Sequence, residues 1–194
     1  MKGNTGRDQR RQIIADFIKQ NYPPEETRAD FSSQNPSYWA DSVLYCYQEV
    51  TKMIYTPKTK LALKLCFEAH KEQTDKSGMP YVFHPFHLAE QMQTEETTIV
   101  ALLHDLVEDT AYTIEDLVKM GFGKDVTDAI ALMTHADGVD YMAYVSQIKS
   151  NPIAKAVKLA DLKHNSDLTR LDVVDEKALS RREKYLKAIA LLEE

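Results

Sequence analysis

Along most of the chain apolar residues return every three or four positions, the spacing of helices with one buried face. No stretch alternates with a period of two for long enough to be a strand, so the fold class expected is all-α. Residues 8–20 place Ile13, Ile14, Phe17 and Ile18 on one face, and Asn21 to Pro24 ends that helix. A second pattern from 37 to about 55 carries Trp39, Val43, Leu44, Tyr47, Val50 and Ile54, and its aromatics read as packing. Pro57 suits the first turn of a helix reaching about Thr74, with Leu61, Leu65 and Ala69 on its stripe. Asp75-Lys-Ser-Gly-Met-Pro80 is a turn by composition, and Gly78 can supply a positive φ. Pro85 then opens a short helix to about Met92, and Thr94 to Val107 forms the next. Thr113, with Asp116 at capping-box distance, introduces a helix over 112–120. Further helices are expected over 125–135, 140–149, 152–171 and 175–192. Residues 1–56 are read as an N-terminal helical extension and 57–194 as the main domain.

One of these helices breaks the pattern. In Ile99 to Thr110, IVALLHDLVEDT, the ionisable residues His104, Asp105, Glu108 and Asp109 interrupt an apolar run. On a continuous helix His104 and Glu108 lie one turn apart, and Asp105 and Asp109 form a second pair about 100° round. All four could then face one cleft. The plain alternative is a solvated helix end, although acids near a helix C-terminus oppose the macrodipole. A local rule broken without obvious gain points to a working site.

Composition narrows the partners. The 43% hydrophobic and 28% charged content is ordinary for a globular protein, and the net charge of -6 argues against general affinity for nucleic-acid backbone. No apolar run approaches the roughly 20 residues of a membrane span, and the N-terminus lacks a secretory pattern, so the expected location is the cytoplasm. Cys46 and Cys66 sit in apolar helical patterns without Cys-x-x-Cys spacing and read as reduced core thiols.

Two more residues could complete a metal site with His104 and Asp105. His84 precedes Pro85 at a helix start, and Asp161 lies in the helical run VKLADLKHNSDL. Two imidazoles and two carboxylates suit a divalent first-row ion such as manganese, iron or zinc, and the lack of thiolate disfavours a structural zinc. Asp161 also has a plainer reading as the ion-pair partner of Lys158 or Lys163. Of the remaining histidines, His87 lies one turn beyond His84 and is placed to support it, and His135 is a spare ligand candidate. His70 and His164 read as local hydrogen-bonding residues, and the charges of RREKYLK as a solvated face.

The stretches AHKEQTDKSGMPYVFHP (69–85), ALLHDLVEDT (101–110) and VKLADLKHN (157–165) together resemble the HD-domain metal-dependent phosphohydrolases. The likeness is greatest to the hydrolase domain of RelA/SpoT homologues and small alarmone hydrolases, and it spans about residues 60–192. It implies an HD-type helical bundle with His84, His104, Asp105 and Asp161 as metal ligands and manganese as the ion. It also implies Glu108 and Asp109 beside the attacking water, and Lys76, Ser77 and Asn165 lining the nucleotide and phosphate pocket, with Tyr81 in the motif around the first ligand. The activity implied is (p)ppGpp 3′-pyrophosphohydrolysis. The alternatives are an HD phosphohydrolase acting on another nucleotide or cofactor phosphate, and a non-catalytic nucleotide-binding regulatory domain. Two positions depart from the pattern. Asp75 stands where many alarmone hydrolases have an arginine that packs on guanine, and Ser166-Asp167-Leu168 replaces Met-Arg-Thr. An anion exchanged for a planar cation there is expected to cost stacking and to repel phosphate.

Overall fold

The computed structural model describes residues 53–136 and 138–194, and Met53–Glu194 form one compact unit. The helices expected at 8–20 and 37–55, and Cys46 with them, fall outside the described residues except for 53–55, which are not helical.

The helices are α1 (Pro57–His70), α2 (Phe83–Ala89), α3 (Glu95–Leu103), α4 (Leu106–Asp109), α5 (Ile114–Lys119), α6 (Lys124–Met133), α7 (Tyr141–Ile148), α8 (Pro152–Ser166) and α9 (Glu176–Glu193). A 3-10 turn at Leu168–Arg170 joins the last two. There are no strands among the described residues, only an isolated bridge between Thr74 and Pro80. None of the described helices is long and apolar enough to cross a membrane.

Local chemistry sets most starts. Thr56 caps α1, its hydroxyl accepting from Thr59 N at 3.1 Å, and Pro57 fills the first turn. Thr113 and Asp116 form the expected capping box on α5. Asn151 accepts from Ile153 N and Ala154 N, each at 3.0 Å, ahead of Pro152 in α8.

The centre is α3, in which every residue from Thr98 to Leu103 is buried. A helix apolar on all sides belongs inside a core. Helices α1, α2, α6 and α8 pack around it. Cys66 belongs to the same core, and burial pushes its thiol up to about 12, which leaves it unreactive.

The short helix expected to reach about Met92 ends at Ala89, and three other boundaries differ where a competing interaction is present. α1 stops at His70 because the next residues pair with the loop instead: Tyr81 N donates to Gln73 O at 2.9 Å and Asp75 N to Met79 O at 2.8 Å. Gly78, at φ +77°, lets that loop close. α8 ends at Ser166 because Asp167 leaves helical geometry and its carboxylate caps Thr169 N at 2.9 Å. The single helix expected over 94–107 is two helices, broken at Asp105 (φ -100°, ψ 2°), so the two-pair geometry of a continuous helix does not hold there.

Candidate metal centre and its cleft

That break is what aims the central pair. His104 ends α3 while Asp105 sits in the bridge region of backbone space, which turns its carboxylate toward the Tyr81 hydroxyl, a donor to Asp105 Oδ2. The first turn of α2 supplies His84, and the buried face of α8 supplies Asp161. His84, His104 and Asp105 each offer a ligand atom within 4.8 Å of the others. Asp161 Oδ1 lies 3.3 Å from His84 Nε2, so the two imidazoles and two carboxylates converge.

The chemistry of these donors fits a cation. His104 is fully enclosed, and its Nδ1 is 2.9 Å from Ala101 O, a contact that requires the proton on Nδ1. Nε2 then carries a lone pair in the neutral ring, yet it lies 3.1 Å from Asp105 Oδ2. It is also the one buried side-chain polar atom without a hydrogen-bond partner among the described residues. Two lone pairs facing each other in a buried place need a proton or a metal ion between them. Without metal a proton is favoured: burial, the largest single influence, lowers the His104 pKa, but Asp105, with Asp161 and the Ala101 carbonyl, raises it to about 9. Asp105 is correspondingly drawn down to about 2: burial, the largest single influence, raises it, but His104 together with the Tyr81 hydroxyl lowers it.

A pH dependence follows. A raised folded-state pKa contributes stability that is present below the unfolded value of 6.5 and lost as pH rises through about 9. In EDTA the melting temperature should therefore fall over this interval, while the stabilisation added by a divalent ion should grow, because the ion no longer displaces a proton. Thermal unfolding in both buffers checks the two opposite slopes.

His84, Asp105 and Asp161 line a cleft of about 770 Å³, with His104 enclosed behind them. Glu108 and Asp109 both line it. Glu108 Oε2 accepts from His135 N at 3.0 Å, and burial followed by Asp105 and Glu108 pushes the Asp109 carboxyl up. Lys76, Ser77 and Asn165 line it as well, but Ser77 Oγ donates to Asp75 at 2.8 Å and Asn165 Nδ2 to Asp161 Oδ1 at 2.5 Å.

Several residues take places that the sequence did not indicate. Most of the RREKYLK run is exposed as expected, but Arg181, Lys184 and Tyr185 of α9 also line the cleft. Their spacing from buried Ala178 and Ala188 was the available signal. Burial, then Arg181 and Lys184, draw Lys76 below its usual range, so three cations share one wall. The partner of His84 is His164, Nδ1 to Nδ1 at 2.7 Å, and His87 rests on the His164 ring at 4.5 Å instead. His135 is outside the ligand group, its Nε2 2.9 Å from Val139 O. Asp161 does pair with Lys158, at 2.9 Å, while Lys163 reaches Glu193 at 3.2 Å.

The two anionic departures are both occupied. Asp75 Oδ1 accepts from Ser77 N at 2.9 Å and Met79 N at 3.0 Å, and Oδ2 meets Arg170 Nη2 at 2.8 Å. Asp167 caps the 3-10 turn. Asp75 thus fastens one loop of the cleft to the turn that carries Arg170, and its charge is balanced.

The HD domain family model matches residues 62–170. The bifunctional (p)ppGpp synthase/hydrolase SpoT of Escherichia coli K12 is 30% identical over 148 residues, covering 63% of this chain and 20% of that protein. The guanosine-3′,5′-bis(diphosphate) 3′-pyrophosphohydrolase of Aquifex aeolicus is 39% identical over 84 residues, covering 41% of this chain and 12% of that one. The chain therefore spans about a fifth or less of the length of these curated relatives. A solved structure of a metazoan SpoT ortholog described as hydrolysing ppGpp superposes with a TM-score of 0.58 at 25% identity, covering 72% of this chain and 88% of that one. With more than half of its length matched by the family model, and with its paired His-Asp at the break after a buried helix, this chain belongs to the HD-domain family.

Proposed function

We propose that this chain is a manganese-dependent hydrolase that releases pyrophosphate from the ribose 3′ position of a guanosine polyphosphate. The observation that carries this reading is the convergence of His84, His104, Asp105 and Asp161 beside a cleft that has acids near the ligands and cations on a wall. The relatives' names supply the substrate class.

The four converging residues would hold the ion, which lowers the pKa of a water and offsets charge on a phosphoryl oxygen. Glu108, oriented by His135 N, takes the proton of the attacking water. Asp109, whose carboxyl is pushed up by burial and then by Asp105 and Glu108, is the group placed to pass a proton to the departing 3′ oxygen as the oxygen–phosphorus bond breaks. The products are a 3′-hydroxyl nucleotide and pyrophosphate. Lys76, Arg181 and Lys184 hold the phosphates remote from the reaction. Purified full chain with manganese should release pyrophosphate from guanosine tetraphosphate, and turnover of ordinary nucleotides alone would overturn the assignment.

The place of Asp75 gives a second test. An aspartate repelling phosphate would lower KM when neutralised. In this account Asp75→Ala frees both the loop and Arg170, and the loss of charge-assisted hydrogen bonds worth about 1.5–3 kcal/mol raises KM roughly tenfold or more. The reversed pair Asp75→Arg with Arg170→Asp recovers part of it. Steady-state kinetics reads the sign.

A further inference from the structure

On α8 the residues Lys158, Asp161 and Asn165 are spaced i, i+3, i+7, and all three line the cleft. Lys158 is largely enclosed, its side chain 12% exposed. Its ammonium lies 2.9 Å from Asp161 Oδ2 and 5.4 Å from the centre of the Tyr144 ring. Asp161 therefore divides its two oxygens: Oδ1 faces His84 and Asn165, and Oδ2 faces Lys158.

Without an ion, Lys158 and Asp161 are a buried pair whose charges cancel. With a divalent cation, two neutral imidazoles and two carboxylates already sum to zero, so the lysine becomes a surplus charge. Asp161 is the one carboxylate within 4 Å of its ammonium among the described residues. A desolvated cation that has lost its counter-charge is costly unless an anion arrives. Its ammonium also neighbours the Tyr144 hydroxyl, and it lines the cleft, where the N–H group aimed at neither Asp161 nor Tyr144 can donate.

We propose that Lys158 is a catalytic residue, donating to an oxygen of the phosphoryl group under attack while it shares Asp161 with the metal ion. This rests on the metal-dependent phosphohydrolase reading but not on which ester is cleaved. The lysine thus has two opposed effects: it weakens the hold of Asp161 on the cation and strengthens the hold of the loaded site on phosphate. A lysine serving only to orient Asp161 would favour metal binding instead.

The test compares the full-length protein with Lys158→Gln, which keeps a donor for Asp161, and with Lys158→Met and Lys158→Arg. Calorimetry with manganese alone should give unchanged or tighter binding in the Gln and Met variants. Calorimetry of the manganese-loaded proteins with inorganic pyrophosphate should show affinity lowered about tenfold or more, and kcat should fall about a hundredfold, with Lys158→Arg recovering part of each. Weakened manganese binding in the Gln variant would assign Lys158 to orienting Asp161. Pyrophosphate affinity and kcat within threefold of the parent would remove it from the reaction, and either result overturns the proposal. Failure of the 3′-pyrophosphohydrolase reading is distinguishable: the parent would bind pyrophosphate but leave guanosine tetraphosphate intact.

Discussion

Asp105→Ala should abolish metal binding and turnover together, lowering kcat/KM by about a thousandfold or more, since bound-metal charge stabilisation is worth several kcal/mol. The carboxylate faces the unpartnered nitrogen of His104 at 3.1 Å and accepts from Tyr81, so its removal takes away a candidate ligand and the acceptor of the Tyr81 hydroxyl. Asp105→Asn keeps the shape and the acceptor for Tyr81 while losing the charge, and it should fold yet bind manganese weakly. Calorimetry alongside pyrophosphate release measures both. An alanine variant that keeps parental metal affinity would remove Asp105 from the ligand set.

Substitution of the acid pair should separate chemistry from metal binding. Glu108→Gln and Asp109→Asn are each expected to lower kcat by about 10²–10⁴, the range for a proton-transferring side chain, with manganese affinity little changed. Asp109 also makes a distinct prediction. Its carboxyl is raised by burial and by Asp105 and Glu108, so the alkaline fall in kcat should report it and should vanish in the Asn variant. Rate profiles of the parent and both variants check this. Parental kcat in either variant would withdraw that residue from proton transfer.

Helical periodicity and caps were legible in the sequence wherever a local interaction settles the backbone, as at Pro57, Thr113 and Asn151-Pro152. The break at Asp105 was not. Apolar spacing runs through it unchanged, and the hydroxyl that Asp105 meets at the break belongs to Tyr81, 24 positions away in sequence. The four converging donors were found from the order of motifs, because residue type alone restricts what can bind a hard or borderline cation. Arg181 and Lys184 were missed because charges on an amphipathic helix look alike whether they face solvent or a polar cleft. The pairing of Asp75 was not legible for a related reason: its partner Arg170 lies 95 residues along the chain, and a lone carboxylate reads as a repelling charge until that partner is seen.

The most direct measurement is an anomalous difference map from a crystal of the full chain soaked in manganese. One peak is predicted, bounded by His84 Nε2, His104 Nε2, Asp105 Oδ2 and Asp161 Oδ1. A peak held by other residues, with these four side chains bonded only to one another, would contradict the account.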